Sequence, residues 1–204
     1  DNPGWGWDDC LQAYKAMEDT EAGADDWRGK GGPLFVSANK SGLHPLVGNY
    51  LVACNEAGLP TNPDFNGAVQ EGAGIYQMTI KGARRNSAAR AFLRPAMKRA
   101  NLRVITRALV TRVLIEEGRA VGVEYRQGGV TKVLKAKAEV ILSGGSINSP
   151  QLLMLSGIGP GSDLQGLGIP VLQANANVGQ NLSDHQGINY TWSMKVPTYN
   201  DELR

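Results

Sequence analysis

The residues of this 204-residue chain that could do chemistry are a glycine turn, two histidines and two cysteines. The glycine turn carries the most. It lies in Gly144-Gly145-Ser146-Ile147-Asn148-Ser149-Pro150-Gln151-Leu152-Leu153-Met154-Leu155-Ser156-Gly157-Ile158-Gly159-Pro160, directly after Ala138-Glu139-Val140-Ile141-Leu142-Ser143, which reads as a short buried strand. Paired glycines permit a tight turn and let a ligand approach the backbone closely. Ser149 is a favourable N-cap, and Pro150 suits a first helical position, where no N–H is needed. Residues 151–155 are helix formers, and Gly157 supplies a stop. A strand exit, a glycine turn and a helix N-terminus together make a place where a cofactor can lie. On local physics alone an ordinary strand–turn–helix joint fits the same residues equally well.

The other reactive side chains are sparse. A general base working near neutral pH is most often a histidine, and the chain has only His44 and His185. His44 precedes Pro45 at a helix start and reads as a capping or surface residue. His185 closes Val178-Gly179-Gln180-Asn181-Leu182-Ser183-Asp184-His185. Neither is assigned a catalytic role. Cys10 and Cys54 are far apart and lack metal or redox spacing. A reduced, cytoplasmic setting is expected, with Cys54 as a small core residue in an apolar helical run.

Composition is that of a soluble globular protein, with 42% hydrophobic and 20% charged residues. No apolar run is long enough to span a bilayer, so no transmembrane segment is expected. A net charge of +2 points to no partner, and nothing assigns an oligomeric state. The charge is locally uneven. Residues 72–115 contain only one kind of charge: Lys81, Arg84, Arg85, Arg90, Arg94, Lys98, Arg99, Arg103, Arg107 and Arg112. Without interleaved aromatics to stack bases, no nucleic-acid partner is expected. A solvated helix face followed by a strand edge is the expectation.

The elements that must position these residues follow from pattern. Helices are predicted over about 9–19, over 45–57 after His44, and after Asn86 or Ser87 until Pro95 disturbs the last. Short strands are predicted at 34–36, 75–80, 102–105 and 169–172. Residues 110–115, 120–125 and 130–134 alternate apolar and polar, separated by Glu117-Gly118 and Gly128-Gly129, and read as an antiparallel meander with two tight turns. Residues 187–196 read as extended.

The glycine-turn string resembles the second signature of the glucose–methanol–choline oxidoreductases, a family of FAD-dependent alcohol oxidases and dehydrogenases. Further stretches are similar to family segments in the same order. They include Asn2-Pro3-Gly4-Trp5-Gly6-Trp7-Asp8-Asp9; Asp64-Phe65-Asn66-Gly67 with Gln70-Glu71-Gly72 and Tyr76-Gln77; Arg85-Asn86-Ser87-Ala88-Ala89; Gly118-Arg119-Ala120-Val121-Gly122-Val123-Glu124-Tyr125; and the run ending at His185. The resemblance covers nearly the whole chain, with the choline and alcohol dehydrogenase branch nearest. It implies a mixed α/β fold, part of an FAD-binding Rossmann-like domain with a β-meander, interleaved with part of a substrate-binding domain. Residues 1–97 would belong mostly to the substrate domain and flavin cover, 98–184 to the FAD domain, and 185–204 to a return to the substrate domain. By the same resemblance Val110 would offer its backbone to the adenine edge. Ser143, Gly144, Gly145 and Ser146 would pass the adenosine half of FAD. Asn2, Trp5 and Trp7 match a segment near the flavin, and Tyr76 and Gln77 would line the substrate side.

Two parts of such an enzyme are not found in these residues. G-x-G-x-x-G is missing: Gly4-Trp5-Gly6 meets Asp9, Gly72-Ala73-Gly74 meets Gln77, and Gly157-Ile158-Gly159 meets Ser162 where glycine is wanted. The family's base is a histidine nearer its far C-terminus, matched by neither His44 nor His185. The chain is therefore read as a central fragment of an FAD-dependent enzyme that oxidises the CH–OH group of choline or another small-molecule alcohol. An FAD-containing hydroxynitrile lyase of the same fold, or a truncated product without activity, stands as the alternative.

Overall fold

A computed structural model describes residues 3–39 and 42–202. Asn2, one of the residues matched to the flavin segment, lies outside them. The chain divides into two compact units, one formed by Asp1–Arg103 with Thr191–Arg204 and the other by Val104–Tyr190.

In the first unit, helix α1 (Trp7–Met17) starts two residues earlier than its pattern predicts and runs directly into strand β1 (Glu18–Thr20). β1 pairs in parallel with β2 (Leu34–Val36), and Thr20 at its end is fully buried. Helix α2 (Pro45–Glu56) is capped by His44, whose Nδ1 accepts the Leu46 N–H at 3.2 Å. The capping role read from sequence is the one the imidazole performs. Cys54 is buried on this helix.

The strand predicted at 75–80 is instead a small hairpin, β3 (Ile80–Lys81) with β4 (Arg84–Arg85). Gly82 and Ala83 both have positive φ in its turn, the geometry that matches strand twist. Residues 75–79 contribute a single bridge, Met78 to Ser37. The following helix is a π-turn over Ala89–Leu93 continued by α3 (Arg94–Ala96). Pro95 lies inside the helical stretch; it has no N–H to donate, and the Arg94 N–H reaches back five residues to Ala89.

The centre of this unit is a buried guanidinium. Arg28 is 3% exposed. Its Nε and Nη2 grip both Glu18 carboxylate oxygens at 3.0 and 2.5 Å, and its Nη1 reaches Asp64 at 2.5 and 2.7 Å and Gln77 Oε1 at 2.7 Å. Glu18 Oε2 also accepts the Gly29 N–H, and Asp64 Oδ1 accepts the Asn66 N–H. The carboxylates, Glu18 first, raise the Arg28 pKa above its ordinary value. Three segments, at Glu18, Asp64 and Gln77, therefore meet on one planar cation.

In the second unit the meander forms as its alternation predicts. Strands β5 (Leu109–Glu116), β6 (Arg119–Gln127) and β7 (Val130–Lys135) pair antiparallel in that order. Glu117-Gly118 and Gly128-Gly129 close the turns with positive φ at both central residues. Helix α4 (Gly145–Leu155) follows, then β8 (Ile158–Gly159), α5 (Gly161–Gly166) and β9 (Gln173–Ala174), with β8 and β9 parallel. The strand expected at 169–172 has moved to β9. Residues 102–105 and 138–143 are not strands, because none of the described strands lies beside them to complete a ladder. Leu164 of α5 is fully buried, but Ile141 remains 76% exposed. Residues 187–196 carry no regular element, and a short helix α6 (Tyr199–Glu202) comes after them.

Many large apolar side chains, Ile141, Ile147 and Leu167 among them, are exposed.

Replacing Arg28 by Met should destabilise the fold by about 3–5 kcal/mol, because Glu18 and Asp64 would lose their shared cationic partner. Urea denaturation measures it, and Arg28→Lys should recover little, since one ammonium cannot bridge both carboxylates. Acid should act in the same direction. The Gly31 N–H and then Lys30 lower the Asp19 pKa, the Trp27 and Arg28 N–H groups lower that of Asp25, and the Thr111 hydroxyl and then Arg112 lower that of Glu124. A depressed folded pKa stabilises in full above the unfolded value, about 4, and that stabilisation is lost as pH falls through the folded value. The urea midpoint should be level from about pH 7 to 5 and fall below about pH 4, with a shallower fall in Asp25→Asn.

Candidate functional site

The candidate site lies where β5 of the meander meets the segment leading into α4. β5 is an edge strand of its sheet, so one side of it carries backbone groups outside the ladder. One of them, the Val113 N–H, donates to Ser156 Oγ at 2.8 Å, and the same hydroxyl donates to the Leu152 carbonyl at 2.6 Å. Ser156 is buried, as is Val113. A single hydroxyl thereby satisfies a strand N–H and a helix C=O and joins β5 to the end of α4. The register shift between Val110 and Arg112 is a bulge one strand-turn earlier, next to Val110.

Helix α4 begins earlier than sequence reasoning places it. Gly144 is its N-cap, Gly145 its first residue, and Pro150 is interior. Ser149 is not the N-cap; its Oγ accepts the Gly144 N–H at 2.9 Å from within the helix. The physical reason is the positive φ of Gly145, 87°, which completes the turn four residues before the serine–proline pair. Gly157 ends the helix as expected, with φ 86° and its N–H on the Met154 carbonyl at 3.0 Å.

Between these elements is a cavity of about 470 Å³. Val110, Ser143 and Gly144 line it together, with Ile141, Asn148 and Ser149 among the other walls. Three of the five residues singled out in sequence therefore share one space. Gly145 forms the turn and lines neither this cavity nor its neighbour. Ser146 lines the neighbour, about 710 Å³, with Ile147, Met154, Gly179 and Asn181. Asn148 is a wall residue that sequence reasoning missed; with the helix read from Ser149 it looked like a loop residue, and a start at Gly145 would have placed it one turn on. At Gly144 an added Cβ would stand 3.2 Å from Asn148 Cβ and 3.3 Å from the Ser149 nitrogen.

Of the other residues matched to family segments, Trp5, Trp7, Tyr76 and Gln77 are in the first unit and His185 is in the second. Trp5 and Trp7 are exposed, and the Trp7 ring lies 6.0 Å from that of Trp27. Tyr76 packs on Phe65 with ring centroids 5.4 Å apart, and Gln77 is held by Arg28. His185 is exposed, with its backbone N–H on the Asp184 carboxylate at 2.8 Å. Among the described residues no cluster of three or more His, Cys, Asp or Glu side chains could hold a metal ion, and no helix is long and apolar enough to cross a membrane.

The chain belongs to the GMC oxidoreductase family, whose model matches residues 1–187. It is 51% identical over 182 residues to the mitochondrial choline dehydrogenase of Homo sapiens, covering 89% of this chain and 30% of that protein. To the oxygen-dependent choline dehydrogenase of Rhizobium johnstonii it is 48% identical over 183 residues, covering 89% and 33%. The chain thus spans about a third of the length of these relatives. Among solved structures it is similar to pyridoxine 4-oxidase from Mesorbium loti, with a TM-score of 0.78 and 32% identity over 85% of this chain and 34% of that one. A formate oxidase matches with a TM-score of 0.80 and 26% identity over 89% and 33%.

Gly144→Val should weaken FAD binding to the whole protein at least tenfold, because its branched methyls must enter either the first turn of α4 or the cavity. Gly144→Ala, needing a shift of only a few tenths of an ångström, should cost much less. Fluorescence titration of apoprotein with FAD reads both.

Proposed function

We propose that this chain is the central part of an FAD-dependent oxidoreductase acting on the CH–OH group of a small alcohol, with choline the first substrate to test. The observation that carries the reading is the cavity shared by Val110, Ser143 and Gly144, in a chain about half identical to two choline dehydrogenases. The residues fit the cofactor. Adenine presents a donor and an acceptor on one edge, which a strand backbone at Val110 can meet without help from a side chain. At Gly144 a Cβ would crowd Asn148 and the Ser149 nitrogen, two residues that line the same cavity, and Ser143 adds only a small hydroxyl.

When bound, FAD supplies the two-electron acceptor for oxidation of the alcohol carbon. The residues of this chain hold and orient the adenosine half. Gly145 forms the turn that opens α4, and Ser146 faces the neighbouring cavity. We assign the unit Val104–Tyr190 to the FAD domain and the unit Asp1–Arg103 with Thr191–Arg204 to the substrate domain. The proton-accepting base is assigned to a residue outside these 204, since His44 is engaged as a helix cap and His185 closes a loop.

Anaerobic addition of choline to the FAD-loaded whole protein tests the reading. Loss of the oxidised-flavin spectrum, with one betaine-aldehyde-type carbonyl product per flavin, is expected. An unchanged spectrum with choline and with other primary alcohols would contradict it.

A further inference from the structure

The bulge in β5 decides which backbone groups of that strand leave the ladder. In an antiparallel pair, residues that exchange hydrogen bonds with the partner strand alternate with residues whose N–H and C=O point the other way. Val113 is of the second kind, since its N–H donates to Ser156 Oγ and not to β6. On β6 the Val121 carbonyl accepts from Ala136, just past the end of β7. Val121 therefore turns its backbone toward β7, and by alternation so do Val123 and Tyr125. Val110 is the residue of β5 that pairs with Tyr125. Its N–H and C=O thus also point away from β6.

A regular strand could not do this. Counting back from Val113 by twos reaches Thr111 and Leu109, and Val110 would face the ladder. The register shift makes Thr111 an extra residue, because Val110 and Arg112 pair with the adjacent Tyr125 and Glu124. Outward backbone falls instead at Val113 and Val110. The first is taken by Ser156, and the second lines the cavity.

The extra residue is held by one side chain. Thr111 Oγ1 donates to Glu124 Oε1 at 2.7 Å and lies 3.2 Å from the Glu124 carbonyl oxygen. Arg112 Nη2 donates to Glu124 Oε2 at 3.0 Å. A single carboxylate on the neighbouring strand therefore grips both residues of the bulge. Thr111 and Glu124 are half-buried, whereas Arg112 is exposed, so the hydroxyl contact is the sheltered one.

We propose that Thr111 and Glu124 are positioning residues for the cofactor: they hold the bulge that turns the Val110 backbone into the cavity, and so set its preference for adenine over other bases. The inference rests on the reading of this cavity as the adenosine site. The Val110 carbonyl can accept from the 6-amino group of adenine while it points into the cavity. Hypoxanthine carries an oxygen at that position and would set two acceptors face to face.

Fluorescence titration of the whole apoprotein with FAD and with its hypoxanthine analogue tests the proposal. The parent should prefer FAD at least about tenfold, since the mismatched base leaves an acceptor unsatisfied. Thr111→Val keeps the branched shape and removes the hydroxyl; it should weaken FAD binding at least about fivefold and bring the preference below about threefold. Glu124→Gln, which keeps the size and one acceptor oxygen, should shift both in the same direction, and it carries the test if the first variant does not fold. Thr111→Ser restores the hydroxyl and should recover most of the preference. A parent that binds both cofactors alike would overturn the adenosine reading, and the proposal with it. A parent that prefers adenine, with variants that keep the same preference, overturns the proposal alone, since equal loss of both cofactors belongs to a merely structural role.

Discussion

The buried hydroxyl of Ser156 is the constraint on which the cavity depends. It accepts the Val113 N–H and donates to the Leu152 carbonyl, so strand β5 and helix α4 hold one spacing, and the cavity between them keeps its width. Neither bond is strong in isolation, with each net hydrogen bond worth about 1 kcal/mol. The asymmetry matters more. Without the hydroxyl, a buried strand N–H would be left unpaired, and that costs more than the bond contributes. Among the described residues no buried side-chain polar atom lacks a partner, so the polar interior is complete even where the apolar one is open.

The first unit is organised on a different principle. A planar guanidinium at Arg28 gathers Glu18, Asp64 and Gln77, and it does so where few apolar side chains are buried. Cys54, Ala73 and Ala91 are its buried hydrophobics among the described residues, all small. Taking ions out of water is costly, and this cluster is offset by bidentate geometry and by backbone N–H groups on the carboxylates. Register is what it specifies: the end of α1, the Asp64 loop and the Gln77 segment cannot slide without breaking it. Large apolar side chains such as Leu109, Ile141, Ile147 and Leu167 are exposed, in a chain that spans about a third of the length of its relatives.

Local signals in the sequence were legible. Alternation and two glycine-containing turns define the meander to within about two residues at each end, because a hairpin is specified by neighbours in sequence. His44 followed by Pro45 marks its helix start. Features set by distant partners were not. Residues 138–143 have the composition of a buried strand, yet a strand exists only through its ladder, and none of the described strands pairs with them. Ser149-Pro150 has the chemistry of a helix start, but Gly145 turns the chain earlier and leaves the proline inside. The Arg28 cluster spans sequence separations of 10, 36 and 49 residues, for which no spacing pattern exists. At the site, the family resemblance brought Val110 and Gly144 together on paper; the fold adds Asn148 and separates off Ser146.

The central claim is that the space between β5 and the start of α4 receives the adenosine half of FAD. Photolabelling of the whole apoprotein with azidoadenine-substituted FAD, mapped by peptide mass spectrometry, tests it most directly. The account predicts label on the peptides that carry Val110 and residues 140–149, displaced by unlabelled FAD. Displaceable label confined to other peptides would contradict it.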